Sequence, residues 1–459
     1  MPTSPTNPVL SGPIWPVFWR YTIPSMAGLL ALTTANIVDG LFIGNFAGDR
    51  ALAALNLLIP YFTLLFGLAL MLAIGGSVRA GRELGRGHTQ QASALFSQCL
   101  TAILVISLGA AVLCLAFHPV IFRALGAEPA LFGLMADYFL VIIWVLVLQL
   151  VTLVLYYFVR LDGFPELATA ALVVGAGANI LLDAWFVGLL DLGLTGAAWA
   201  TGLAQLLQTL VLARYFLDRR RKLRLRWVTR GWIELLRAAG NGLSEWINEV
   251  SVGVVLLLLN WLLMLEHGAT GVAAFTVVNY LIFLSLMLAY GIADAMHVLV
   301  SQNFGAGNHQ RIRRFMSCGA TALMGLAAIL LYGLGFHGER LVDSFLNEAD
   351  QTRRLAGVFL SVLWPLFIVN GLNVLISVYL TAMHRPVTSA LVALSRSLVF
   401  PALLLLLINR LAPDWPLVVA LPLSEWLTFL LAGSLFLALS PRRAILRAGE
   451  RRVQPVDSA

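Results

Sequence analysis

From residue 17 to residue 438, apolar stretches of 20 or more residues follow one another with only short polar breaks. A bilayer core about 30 Å thick offers no water to unpaired backbone groups, so a spanning segment must satisfy its own N–H and C=O groups, as a helix of about 20 residues does. Twelve helices are predicted, at 17–43, 51–78, 93–117, 130–158, 165–188, 194–216, 241–264, 271–298, 314–336, 355–381, 387–408 and 415–438. Composition agrees: 60% of residues are hydrophobic and 12% charged, where a soluble domain carries about 25% charged. The expected fold class is therefore an all-α membrane protein, and its short loops leave no room for a soluble catalytic domain.

The chain also repeats itself in register 220 residues on. Gly48 with Ala53-Ala54 returns as Gly268 with Ala273-Ala274, and Gly85-x-Gly87-x-x-Gln90 as Gly305-x-Gly307-x-x-Gln310. Thr101-Ala102 and Trp144 return as Thr321-Ala322 and Trp364. Duplicated bundles are a common build of secondary transporters. Six helices per half is an even number, so both halves enter the membrane in the same sense, and a pseudo-twofold axis along the membrane normal is expected. The division follows: an N-terminal lobe at 1–218, a basic linker at 219–232, a C-terminal lobe at 233–441 and a basic tail at 442–459.

Basic loops stay cytoplasmic. With the N-terminus inside, 22 of the 30 Lys and Arg residues fall on the cytoplasmic side, nine of them between Arg214 and Arg237. Only Arg50, Arg123, Arg340, Arg353, Arg354 and Arg410 fall on the other side, with Arg20 and Arg396 inside spans. Both termini are expected to be cytoplasmic. The start, Met1 to Pro8, lacks the basic residues of a cleaved signal peptide, so the first span is expected to be retained. The net charge of +7 is accounted for by these loops and calls for no nucleic acid. The run Arg219–Arg226 is read as an anchor to anionic lipid headgroups. Cys99, Cys114 and Cys318 fall in spans without metal or disulfide spacing and read as small core residues.

A carboxylate in a spanning helix costs about 2.5–3.5 kcal/mol on insertion scales, which makes each one a candidate functional group. Asn36 and Asp39 lie three apart on the first helix, and Asn179 and Asp183 four apart on the fifth. Thr201, Gln205 and Gln208 form a stripe on the sixth. If these faces meet, two carboxylates, an amide and a hydroxyl share one cavity, suited to a proton or to sodium. The second half offers Glu245 and Glu249 on the seventh helix, Asp294 and His297 on the eighth, and Asn370 and Asn373 on the tenth. Arg396 falls mid-span on the eleventh and Glu425 on the twelfth. An ion pair of Arg396 with a glutamate or Asp294, or an acidic cation-binding surface, would each explain this set. Asp294 and His297 lack a third ligand, so no metal centre is expected beyond sodium. Pro24 removes a backbone hydrogen bond fifteen residues before Asp39 and is a candidate hinge. The Gly85–Gly87 and Gly305–Gly307 segments lack the Lys-Ser/Thr of a phosphate loop and read as tight turns.

These segments resemble the multidrug and toxic compound extrusion (MATE) family, in particular its bacterial DinF-like branch. The resemblance rests on Val38-Asp39-Gly40-Leu-Phe-Ile-Gly44 with Ala51-Leu-Ala-Ala-Leu55, on Asn179-x-x-x-Asp183 with Gly196-Ala-Ala-Trp-Ala-Thr201, and on Asn303-Phe-Gly305-Ala-Gly307-Asn308. It implies two six-helix lobes in a V shape, alternating access, and export of bulky amphiphilic, often cationic compounds in exchange for H+ or Na+. It further implies that Asp39, Asn179, Asp183 and Thr201 hold the coupling cation and that Pro24 marks a kink tied to protonation. Asn36, Gln205, Glu245, Glu249, Asp294, Asn370, Asn373 and Arg396 are then candidate substrate or cavity residues. Two departures stand out: Ala35 where some relatives carry Tyr, and Asn370 where the sodium-coupled branch carries Asp.

Neither an enzyme cofactor nor a nucleic-acid partner is expected; the partners are small amphiphiles and lipids, and a monomer in a bacterial inner membrane is expected. Arg outnumbers Lys 29 to 1, in keeping with a GC-rich bacterial genome. Two other functions compete. A lipid-linked oligosaccharide flippase would need a basic cavity, and Arg396 and Arg20 are the only arginines within the spans. An intramembrane enzyme would need a nucleophile beside a base, for which the Asp294 and His297 pair is the sole candidate.

Overall fold

The computed structural model describes residues 7–345, 350–443 and 445; most of the tail at 442–459 lies outside them. A four-residue helical turn, Pro8–Ser11, precedes α1 (Ile14–Phe42), α2 (Asp49–Gly85), α3 (Thr89–Ala124), α4 (Phe132–Leu161), α5 (Pro165–Asp183) and α6 (Gly193–Ala213). The next helical stretch, Trp232–Gly305, has 74 residues. At about 1.5 Å per residue it is far too long for one crossing. Gly268, at φ 62° and ψ −153°, divides it, giving α7 (232–267) and α8 (269–305). Then come α9 (His309–Phe345) and α10, whose two parts, Asp350–Leu363 and Leu366–Ala382, meet at a 54° bend. In α11, Pro386–Leu394 and Phe400–Leu411 are joined by a π-helical turn, and α12 is Ala420–Ala438. Described residues thus supply twelve spans, six per repeat, with helix as the only regular structure among them.

The helices run past their apolar windows: α2 continues through Arg79, Arg82 and Glu83, and α8 reaches Gly305, seven residues beyond the expected end. Hydropathy marks the part in lipid, while a helix can continue into the headgroup layer where polar side chains are solvated.

The repeat is written into the backbone as well as the sequence. Gly48 (φ 86°) precedes α2 as Gly268 precedes α8. Gly87 (φ 82°) and Gly307 (φ 74°) close α2 and α8 in the left-handed region that an L side chain enters only at a cost of about 1–2 kcal/mol. Both turns carry the same pair of hydrogen bonds: Gly87 N–H to Leu84 C=O and His88 N–H to Glu83 C=O, then Gly307 N–H to Phe304 C=O and Asn308 N–H to Asn303 C=O. They are helix-ending turns, as the sequence suggested.

Packing divides the chain into two compact units, one of Ile23–Gly242 and one of Leu243 onward together with the residues up to Thr22. The boundaries of these units fall within α1 and α7. In the first unit, α4 packs against α2, α3 and α6, and α5 lies along α6. Its core includes Leu58, Phe122, Met135, Phe139 and Ile143. In the second unit, the Leu366–Ala382 part of α10 packs on α9 and α12. Leu259, Leu263, Phe275, Phe359, Leu363 and Leu405 form the core there.

The basic linker belongs to the first unit because its backbone is bonded there. Asp162 accepts the N–H groups of Lys222 (2.7 Å) and Leu223 (3.1 Å) and the Tyr215 hydroxyl (2.7 Å). Burial raises the Asp162 carboxyl pKa above the usual carboxylate range, against the pull of these donors. Ser93 Oγ and Ser97 Oγ accept from Arg224 N–H (3.2 Å) and Arg226 N–H (2.9 Å), and Gln98 donates to the Arg230 carbonyl (3.3 Å).

The first turns of α7 are tied down too. Arg79 Nε donates to Glu234 at 2.8 Å, and α7 crosses α2 with backbone against backbone. A Cβ on Gly75 would collide with the Ala238 carbonyl, and one on Gly242 with the Met71 carbonyl. Gly75→Ala is therefore expected to cost about 1–3 kcal/mol and to lower the thermal unfolding midpoint in detergent. Gly109→Ala on α3, where a methyl meets open space, should leave that midpoint unchanged or raise it slightly.

Candidate functional site

In the first unit, α1 brings Asp39 to within one turn of its end and α5 ends on Asp183 itself. Each helix then runs on as a π-helical turn, Ile43–Ala47 after α1 and Ala184–Leu189 after α5. The two turns pack against each other. The extra residue in a π turn breaks the regular hydrogen-bond ladder, a feature frequent at functional sites. The Asp39 and Asp183 carboxyl groups adjoin. Asp183 is fully buried, and neither its two oxygens nor Asp39 Oδ1 finds a hydrogen-bond donor among the described residues.

Two adjoining buried carboxyls that lack donors cannot comfortably both be ionised. A shared proton, or a small cation taking oxygens from both, relieves the repulsion. Tyr138, on α4, is buried and close enough to interact with both carboxyls. The sequence reading missed it, because a tyrosine in an apolar span 99 residues from Asp39 carries no local signal.

The other first-half candidates are placed less uniformly. Gln205 is buried on α6, with its Nε2 unsatisfied. Asn179 and Thr201 are half-buried on the packed α5–α6 pair. Neither hydrogen-bonds to the carboxyl pair. Asn36 is exposed, although its spacing had suggested that it shares the face of Asp39. Pro24 lies inside an unbroken α1, two residues after Thr22, where the chain passes from one unit to the other.

In the second unit the polar groups of five helices meet. Arg396 lies in the π-helical turn Ser395–Val399 of α11 and donates from Nε to Glu425 at 3.0 Å, with both side chains about nine-tenths buried. Asn373 donates to Glu425 Oε2 at 2.6 Å and to the Glu425 carbonyl at 2.8 Å. Arg396 Nη1 reaches the Tyr290 hydroxyl at 3.4 Å, which accepts from Asn248 at 2.9 Å. Glu245 is near Asp294, Glu249 and Arg396. Arg396, expected among the cavity residues, is held inside this network; of the two ion pairs considered, the one with a glutamate forms. Asn370 is buried with an unsatisfied Nδ2, and His297 is buried on α8. Tyr290 and Asn248 went unnoticed in the sequence, although Tyr290 is four before Asp294 and Asn248 three after Glu245. No group of three His, Cys, Asp or Glu able to hold a metal ion occurs among the described residues.

Comparison with known proteins places this arrangement in context. A family model described as MatE matches residues 24–185 and 248–406, one copy per repeat. An FAD transporter of Shewanella oneidensis is 26% identical over 403 residues, 84% of this chain and 86% of that protein. The multidrug export protein MepA of Staphylococcus aureus is 22% identical over 419 residues, 89% of this chain and 91% of that one. Among solved structures, MATE in complex with MaL6 superposes with a TM-score of 0.89 at 21% identity, covering 98% of this chain and all of that one. A MOP superfamily transporter from Pyrococcus furiosus gives a TM-score of 0.86 at 21% identity, covering 97% and 99%.

Proposed function

Because the chain belongs to the MatE family of membrane transporters, we propose that it is a cation-coupled antiporter. It exports bulky amphiphilic, often cationic compounds and takes up H+ or Na+ in exchange. The observation that carries this reading is the adjoining pair of Asp39 and Asp183 carboxyls beside two π-helical turns, with Asp39 Oδ1 and both Asp183 oxygens buried without a donor. Occupancy of that pair by one positive charge removes a repulsion inside the first unit. The substrate site then opens alternately to the two sides of the membrane as the charge arrives and leaves. Asn179 and Thr201 supply further oxygens as the cation is taken up, with Tyr138 close to both carboxyls. The protein acts as a monomer in the bacterial inner membrane with both termini cytoplasmic.

Drug export is supported by the likeness to MepA, and an acid-rich polar interior suits cationic cargo better than a phosphate-bearing one. One observation favours a second cargo: the relative at 26% identity is named an FAD transporter. Everted vesicles from cells expressing the protein should take up an amphiphilic cationic dye when energised and leave FAD outside. Uptake of FAD with no movement of dye would assign the flavin instead.

The hinge gives a separate expectation. Proline at position 24 has no N–H with which to donate the helical hydrogen bond to the preceding turn. Pro24→Ala restores that hydrogen bond and stiffens α1 where the chain changes units. Transport turnover should fall several-fold while the substrate concentration giving half-maximal rate stays within about twofold.

A further inference from the structure

A groove of about 690 Å³ opens on the second unit between the start of α1 and the first turns of α9. Ile14 and Trp15 form one wall, and Arg313, Arg314, Ser317 and Thr321 stand on the other. Trp15 is 48% exposed and stacks on Trp19, with ring centroids 6.4 Å apart.

The arginines of this helix divide by role. Arg311 turns inward and donates to the carbonyls of Val9 (3.1 Å) and Gly12 (2.8 Å), which pins the segment before α1. Arg313 and Arg314 are exposed at the groove and form no ion pair with any described residue. Arg314 is also close enough to Arg311 for the two charges to repel. The stretches that furnish both walls, residues 1–38 and 295–338, contain no Asp or Glu.

The repeat offers an internal control. Ser93 and Ser97 of α3 stand 220 positions before Arg313 and Ser317. There the two hydroxyls accept the backbone N–H groups of Arg224 and Arg226, so the chain's own linker covers that face. In the second half an arginine stands in place of the first of these serines, and among the described residues no hydrogen-bonded linker covers the face, which is a groove.

We infer that this groove binds the phosphodiester headgroup of an anionic membrane phospholipid, with Arg313 and Arg314 on the phosphate and Trp15 against the glycerol and upper acyl region. Charge complementarity selects an anion. Tryptophan at the end of a spanning helix sits at headgroup depth, and paired guanidinium groups suit phosphate oxygens. Such a lipid would bridge the start of α1 and α9 within the second unit, ahead of Pro24.

Native mass spectrometry of the purified full-length protein in mixed phosphatidylcholine and phosphatidylglycerol micelles tests this independently of transport. The unaltered protein should retain one phosphatidylglycerol beyond those kept by Arg313→Gln/Arg314→Gln, with affinity at least tenfold higher. Retention should survive Arg219→Gln/Arg220→Gln, which removes exposed arginines of the linker, and should survive deletion of 446–459. Glycerol 3-phosphate at millimolar concentration should displace the lipid only weakly. Equal retention by the groove variant would overturn the inference. So would loss on removing the linker arginines, gain on deleting the tail, or full displacement by the soluble phosphate.

Discussion

Asp39→Asn should reach the membrane at normal levels, unfold at the same or a higher temperature than the unaltered protein, and extrude no dye in response to an ion gradient. The two halves of that result share one physical source. Asp39 and Asp183 adjoin, with Asp39 Oδ1 and both Asp183 oxygens buried without a donor, so an ionised pair stores repulsion that the amide removes. Stability is therefore kept or gained. The amide can neither hold a proton near neutral pH nor contribute a charge to sodium, and exchange loses its driving ion. One charge moving through about 150 mV releases roughly 3.5 kcal/mol, equivalent to about a 300-fold gradient of a neutral substrate. That is the size of the effect at stake. Asp183→Asn should behave alike, and the double variant should be no worse than either single one. Dye accumulation in cells, paired with a thermal unfolding curve in detergent, checks both halves.

Arg396→Met should be the most destabilising of the charge changes in the second unit, by about 3–5 kcal/mol. The guanidinium is paired with Glu425 at 3.0 Å, interacts with Glu245 and shares a network with Tyr290 and Asn373. Its loss leaves Glu425 buried and unbalanced in a setting that already contains Glu245, Glu249 and Asp294. Glu425→Gln should cost less, because Glu245 remains beside Arg396 as an alternative partner. Arg396→Met/Glu425→Met should regain most of the loss, since an apolar pair removes both desolvation penalties. Unfolding midpoints of the three variants in one mild detergent give the ordering. A structural role restricted to Arg396 alone would leave the double variant as unstable as the single one.

Much of this architecture is written plainly in the residue order. Gly48 and Gly268, or Gly87 and Gly307, recur at one spacing and adopt the same left-handed turns, because a backbone requirement for glycine shows directly in sequence. Twelve spans were legible for a similar reason: lipid exposure demands apolar residues over a whole crossing. The π-helical turns after Asp39 and Asp183 and around Arg396 were not legible, since no residue preference separates them from ordinary helix. Tyr138 was hidden because its importance comes from contacts across three helices. Asn36, three residues before Asp39 and expected to line a cavity, is exposed. The unit boundaries inside α1 and α7 carry no mark in the repeat. Within the units, Arg311 holds the carbonyls of Val9 and Gly12 in one and Ser93 holds the linker in the other.

On the proposed mechanism, a small cation exchanged at the Asp39 and Asp183 carboxyls powers export. The decisive experiment uses purified protein in liposomes, given a pH gradient and a sodium gradient one at a time at zero membrane potential. Dye movement should follow one of the two gradients in the unaltered protein and neither in Asp39→Asn. Movement in Asp39→Asn at the unaltered rate under the same gradient would contradict it.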